Sequence, residues 1–253
     1  MCIVFIYSGY HDPESYYSLV LAANRDEFYD RQAQNMAPWK EDLTIFGGID
    51  LEAECQSTWL AYSFSEKKLG LLLNYPEIKK ESPKSRGKIV TDYIKSKYTT
   101  DNYVPFIRDN EDDYNGFIFV TVEFRNKVPL IQTYTNATHN LQTWEQKCVG
   151  FSNNLPDSPL SKVVAGREIM QKICEEYKSI EDKSKLIENI YQTQFYKTEG
   201  QLTINISHQY LFAYHQPVME QVTKSGQVDL IEVTMQSPIN LSSPNWKRSN
   251  FQL

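Results

Sequence analysis

Cysteine, histidine and glycine are all scarce in this 253-residue chain, and each shortage removes a class of chemistry. The four cysteines, Cys2, Cys55, Cys148 and Cys174, are widely scattered without a C-x-x-C pair. That spacing indicates neither a zinc site nor a disulfide framework, so a reducing, cytoplasmic setting is expected. Ten glycines supply no phosphate loop, and Walker A, G-x-G-x-x-G, H-E-x-x-H and G-x-S-x-G patterns are all missing. No apolar run approaches the roughly 18 residues of a membrane span. The start Met1-Cys2-Ile3-Val4-Phe5-Ile6-Tyr7 lacks the basic opening and cleavage site of a signal peptide and reads as a strand. Positive charge is also short, at 26 Lys and Arg against 32 Asp and Glu. A net charge of −6 argues against nucleic acid as a partner.

What remains is an ordinary globular composition with 13% aromatic residues, enough for a real core. No repeat or linker divides the chain, so residues 1–253 are expected to form one domain. The runs 2–7 and 16–23 are β-branched, aromatic and apolar, with a turn at Gly9–Pro13. Further strands are expected at Thr44–Phe46, Thr58–Phe64 and Leu69–Asn74, and a hairpin at Gly116–Phe124 and Val128–Thr135. Ser85 is placed to cap a helix carrying Ile89, Val90, Tyr93 and Ile94. A longer helix follows Pro159, with Leu160, Val163, Val164, Met170, Ile173, Cys174 and Tyr177 on one face. Leu186, Ile187, Ile190, Tyr191 and Phe195 mark another. Strands at Tyr210–Tyr214 and Val228–Met235 precede a polar tail with Trp246. Strands, then helices, then strands give an α+β class with antiparallel sheet.

One constellation carries chemistry. Asn24-Arg25-Asp26-Glu27 ends the apolar run Leu19–Ala23, and a single antiparallel hairpin would bring it to Cys2. If Met1 is removed, Cys2 exposes an α-amine with a pKa of about 7.7–8, suited to act as a general base. Arg25 would favour the thiolate, Asp26 would orient the amine, and Asn74 or Asn153 would donate to an oxyanion. The competing reading is a small apolar cysteine opening a buried strand. Arg25 also suits bidentate contact with a carboxylate or phosphate. Lys79, Lys80, Lys84, Arg86 and Lys88 fall within ten residues that hold one acid, Glu81. That local reversal reads either as an anion site or as a solvated loop entering a helix.

Met1-Cys2-Ile3, Leu21–Phe28 and Thr58-Trp59-Leu60 together resemble the NRDE family, also called the transport and Golgi organisation protein 2 family. Leu73-Asn74-Tyr75, Ser85-Arg86-Gly87, Tyr114–Phe117 and Gly150–Asn153 extend the resemblance, in order, to about residue 155. It implies an Ntn-hydrolase-like fold, a four-layer αββα sandwich. It also implies haem trafficking out of haem-rich compartments such as mitochondria or lysosome-related organelles, with links to Golgi organisation. The alternatives are an Ntn-type amidohydrolase or acyltransferase using Cys2, Arg25, Asp26 and Asn74, and an acyl-CoA or lipid-binding protein.

For the haem reading the expected ligand-binding residues are Asn24, Arg25, Asp26, Glu27, Lys84, Arg86 and Lys88, whose charges suit haem propionates or coenzyme A phosphates. Among the histidines, His208 and His215 flank an aromatic strand and are the candidates for haem iron, while His11 and His139 read as solvent-facing. No C-x-x-C-H motif provides covalent attachment. In one respect the chain departs from the family. A C-terminal Tyr-Gly-Thr-Arg-like segment is expected, yet the nearest stretch is Ala213–Pro217, and no arginine lies between Arg167 and Arg248.

Overall fold

A computed structural model describes residues 2–27, 31–53, 55–125, 128–192, 206–215, 227–235, 242–243 and 245–253, with backbone alone at 26, 125, 206–215 and 235. Its first strands are β1 (Ile3–Ser8), β2 (Tyr17–Asp26), β3 (Ala33–Pro38), β4 (Ile45–Asp50), β5 (Leu60–Ser63) and β6 (Lys68–Asn74). After them come β7 (Phe117–Arg125), β8 (Val128–Thr135), β9 (Asn140–Trp144) and β10 (Cys148–Ser152). The last are β11 (Ile206–His215), β12 (Val228–Met235) and β13 (Trp246–Gln252). Among the described residues four α-helices accompany them: α1 (Gly87–Lys95), α2 (Thr100–Arg108), α3 (Ser161–Glu176) and α4 (Lys183–Gln192). The chain is therefore α+β with antiparallel sheets, as expected. It forms two compact units, one from the described parts of 1–29, 146–152 and 159–253, the other from those of 30–145 and 153–158.

In the first unit the strand order is β10-β1-β2-β11-β12-β13. β1 and β2 are apolar on both faces, the pattern of strands buried on two sides. One face is covered by helices. Ile3, Phe5, Tyr7, Val20 and Ala22 share a core with Val163, Met170 and Ile173 of α3 and with Leu186, Ile187 and Ile190 of α4. Side chains alternate along a strand, so Val4, Ile6, Leu19, Leu21 and Ala23 occupy the other face, where they are also buried. Phe5 fixes the approach of α3, because a Cβ at Gly166 would stand only 2.2 Å from its ring. Lys183, at the start of α4, holds Asp229 of β12 at 2.7 Å.

The second unit is a seven-stranded meander, β3 through β9 in sequence order. Ile89, Val90, Tyr93 and Ile94 of α1, with Tyr103, Val104 and Ile107 of α2, pack on Trp39, Ala61, Leu72, Phe117, Phe119 and Tyr134. A buried polar pair pins the joint between these helices. Lys68 and Glu123 face each other across β6 and β7. Lys68 Nζ donates to the carbonyls of Ser96 at 2.8 Å and Tyr98 at 3.0 Å. It also lies 4.2 Å from the centroid of the Tyr93 ring. Glu123 accepts from the Tyr93 hydroxyl at 2.9 Å and the Thr100 hydroxyl at 2.7 Å, and from the Thr100 backbone N–H at the first turn of α2. A carboxylate there meets the positive end of the helix dipole.

Several local expectations change. Ser85 does not cap α1; the cap position is Arg86, and Ser85 Oγ lies 3.0 Å from Ser57 Oγ. Val164 is exposed and Gly166 takes its place on the buried stripe, since one residue is too short a step to stay on a face already holding Val163. The expected polar tail is strand β13, an edge strand with mostly exposed side chains. Cys55 is exposed, while Cys148 and Cys174 are buried. α2 was hidden by Pro105 in its interior. Met1 and Phe195 lie outside the described residues.

Two outcomes are expected. Gly166→Ala should destabilise by about 1–3 kcal/mol, because the methyl overpacks Phe5, whereas relief of an uncrowded helical glycine would stabilise. Chemical denaturation of the variant measures this directly. Burial brings the Lys68 amine from 10.5 down to about 8. Between those values the unfolded chain binds the proton and the folded chain does not, so this group's contribution to stability rises with pH. Lys68→Met should cost about 1–3 kcal/mol at neutral pH by stranding two carbonyls, and its deficit should widen from pH 8 to pH 10.5. Denaturant midpoints at the two pH values test the sign.

Candidate functional site

β1 and β2 pair with Ile3 opposite Asn24, and β10 pairs with β1 with Ile3 opposite Ser152. The residue before Ile3 and the residue after Asn24 are Cys2 and Arg25, so the hairpin brings this pair alongside, as the sequence suggested. Cys2 is half-buried. Arg25 is only 4% exposed. Its Nη2 stands 4.0 Å from Glu27 Oε2, a carboxylate on the same side of the chain two residues on. Asp26 ends β2 opposite Ile206, and its side chain lies outside the described atoms.

Alternation divides the four-residue motif. Val20 and Ala22 face the helices, and so does Asn24; Leu19, Leu21 and Ala23 face away, and so does Arg25. Asn24 thus shares a face with Ile3 and Ser152, while Arg25 belongs with Cys2. Across the sheet, β11 places His208 opposite Arg25 and Ile206 opposite Asp26, leaving Ser207 as an extra, unpaired residue. Such a bulge bends the strand and re-aims its neighbours. His215 falls at the other end of β11, opposite Tyr17.

The remaining sequence candidates belong to the second unit. Asn74 closes β6 with an exposed side chain, and its carbonyl accepts from Asn153 Nδ2 at 2.6 Å. The basic stretch is matched by acids. Lys80 meets Asp112 at 3.0 Å, Lys84 meets Asp113 at 2.6 Å, and Lys88 meets Asp92 at 2.9 Å, one helical turn away. The Asp113 hydrogen bond raises the Lys84 ammonium above its ordinary range. Arg86 Nη1 donates to the Gly116 carbonyl at 2.8 Å, tying the start of α1 to the entrance of β7. The acidic run Glu111-Asp112-Asp113 was visible in the sequence and was the signal that these lysines have local partners.

Ser152 had no role from sequence, although it sits in the family-like stretch Gly150–Asn153. It is 2% exposed, and its hydroxyl has no hydrogen-bond partner. Asn24 is 7% exposed, and its Nδ2 is likewise unpartnered. Among the described residues no group of three or more His, Cys, Asp or Glu is placed to hold a metal ion. His11 is exposed beside Tyr10, and His139 is exposed with Nδ1 2.6 Å from Glu111 Oε1. Burial pushes the Cys148 thiol up to about 12 and that of Cys174 well above its ordinary value, so neither acts as a nucleophile.

The family model described as Transport and Golgi organisation 2 matches residues 1–237. The Transport and Golgi organization protein 2 of Drosophila melanogaster is 33% identical over 183 residues, which is 68% of this chain and 65% of the fly protein. The Mus musculus homolog is 29% identical over 188 residues, 71% of this chain and 67% of its own length. The Homo sapiens homolog is 29% identical over 184 residues, 69% and 65% respectively. The aligned part thus spans about two thirds of each relative.

The two kinds of cation separate by mutation. Arg86→Ala should lower unfolding stability by about 1 kcal/mol, because the Gly116 carbonyl loses one of its two donors and keeps only the Tyr75 N–H. Lys84→Ala, which removes an exposed pair, should leave the denaturation midpoint unchanged.

Proposed function

The chain belongs to the Transport and Golgi organisation 2 family, and from that premise we propose that it carries haem and mobilises it from haem-rich compartments such as mitochondria or lysosome-related organelles. The observation behind this reading is Arg25, a buried guanidinium that ends the apolar row Leu19, Leu21 and Ala23 on one face of β2. A ligand with an apolar body and an acidic edge matches that sequence of surfaces, and a guanidinium donates bidentately to a propionate. His208 is the preferred iron ligand over His215, because its register position is opposite Arg25 while His215 is at the far end of the strand. Acyl-CoA and lipid share the apolar-anionic chemistry and are the competitors to exclude.

Carriage is favoured over an Ntn-type hydrolase using Cys2. Of the two proposed oxyanion donors, Asn153 spends an amide proton on the Asn74 carbonyl, and Asn74 presents its side chain to solvent. An Ntn-hydrolase-like four-layer arrangement remains part of the proposal. It is supported by each sheet having helices on one face and buried apolar residues on the other. The working location is the cytoplasm with peripheral contact to organelles, consistent with relatives named for transport and Golgi organisation. No helix among the described residues is long and apolar enough to cross a membrane.

Titration with haem, followed at the Soret band, tests the reading. The unmodified protein should shift the band, and Arg25→Lys should weaken binding about tenfold while keeping the charge, because the planar fork is lost. His208→Ala should move the band position, and Lys84→Ala should change nothing. Absence of a shift with the unmodified protein, or an Arg25→Lys titration that overlays it, would end the proposal.

A further inference from the structure

The meander unit holds a cavity of about 100 Å³ at its β9 end, on the face turned away from α1 and α2. Its floor is made by two cross-strand pairs of the last hairpin, Thr133 with Gln142 and Thr135 with Asn140. Tyr134 and Leu141, which alternate with them, pack into the core beneath the helices, so the floor residues belong to the opposite face. The turn 155–158 supplies most of the remaining lining. Thr133 and Thr135 are buried, Leu155 and Pro156 are half-buried, and Asp157 and Ser158 are exposed. The cavity therefore has a closed floor and an open mouth.

Its parts are tied together by hydrogen bonds. Gln142 Nε2 donates to Asp157 Oδ1 at 3.0 Å, which joins the turn to the hairpin. The Ser158 N–H donates to the Leu155 carbonyl at 3.0 Å, and Asn154 Nδ2 to the Ser158 carbonyl at 2.7 Å, so the turn is also closed on itself. The floor hydroxyls are oriented as well. Thr133 accepts from Trp144 Nε1 at 2.9 Å, and Thr135 accepts from the Ala137 N–H at 3.2 Å. Each hydroxyl has then accepted one bond and keeps its own proton to donate.

The chemistry of the lining selects the guest. Among the described residues no lysine, arginine or histidine lines the cavity, and Asp157 brings a carboxylate, which disfavours phosphates and carboxylates. Hydroxyl and carboxamide side chains both donate and accept. A guest made only of acceptors, or only of donors, would leave part of this set unmatched. Hydroxyl groups are the complement, because they also do both, and two adjacent ones suit the Asp157 carboxylate. Leu155, Pro156 and the threonine methyls offer an apolar surface to the carbons between them. The volume admits a few waters or a three-carbon fragment, and is well below the roughly 300 Å³ at which drug-sized sites begin. We propose that this cavity binds the vicinal diol of a polyol, presented by a hexose or by glycerol. The bound hydroxyls take the places of waters and reproduce their hydrogen bonds. None of the residues in the haem reading takes part.

Titration of the isotope-labelled full chain, followed by amide proton–nitrogen correlation spectra, is the test. Glycerol, glucose, inorganic phosphate and methylammonium are the separate probes. Saturable shifts of the Thr135, Asn140 and Asp157 amides are expected with glycerol or glucose, and the tighter of the two identifies the source of the diol. Phosphate and methylammonium should leave those amides in place. Asp157→Asn, at an exposed position, and Thr135→Val, of nearly the same shape, should each weaken diol binding about tenfold. Thr135→Ser keeps the hydroxyl and should retain binding, which separates a lost hydrogen bond from a disturbed turn. Saturable shifts with neither diol, binding of phosphate or methylammonium as tight as that of the diols, or diol binding that Asp157→Asn and Thr135→Val both leave intact would overturn the proposal.

Discussion

The pairing of β1 with β2, with Ile3 opposite Asn24, is the constraint on which the candidate site depends. Register in a two-sided strand pair assigns every side chain to a face, and a slip of one residue would exchange the faces completely. Here the register is fixed by Phe5 and Tyr7, which need the helix side and the room over Gly150 and Gly166. Once those rings are seated, Asn24 has to face the helices and Arg25 has to face away. The chemistry at the strand end follows from aromatic packing some 7–14 Å further along the strand.

The two units manage buried charge differently. In the meander, Lys68 and Glu123 face each other across neighbouring strands and spend hydrogen bonds on backbone groups of the α1–α2 joint. That arrangement is closed, and it serves the placement of helices. At the end of β2, the Glu27 carboxylate stands at the outer limit of an ion pair from Arg25. A long, partly exposed pair is easier to exchange for a ligand carboxylate than a closed network.

Much of the fold was legible because its central strands are long and apolar. β1, β2, β6, β7 and β8 could be read from composition alone. What escaped detection was short or mixed. β9 and β10 are five residues each, β13 is an exposed edge, and α2 contains a proline. At the site, the Cys2–Arg25 pairing was legible because a hairpin is a local structure. The separation of Asn24 from Arg25 was not, because it requires knowing which face the helices cover. The pairing of the basic stretch was harder to read, because the partners of Lys80 and Lys84 lie roughly thirty residues downstream.

The strand orders of the two sheets also set a timetable for assembly. The seven-stranded meander joins each strand to its sequence neighbour, so it can close step by step as the chain leaves the ribosome. The six-stranded sheet cannot. Its β1–β2 hairpin precedes β10 by more than a hundred residues and β11 by more still, and each of these later strands flanks an apolar strand that comes earlier. During that interval the edges of β1 and β2 are unpaired, and a chaperone that shields extended apolar hairpins would find its substrate there.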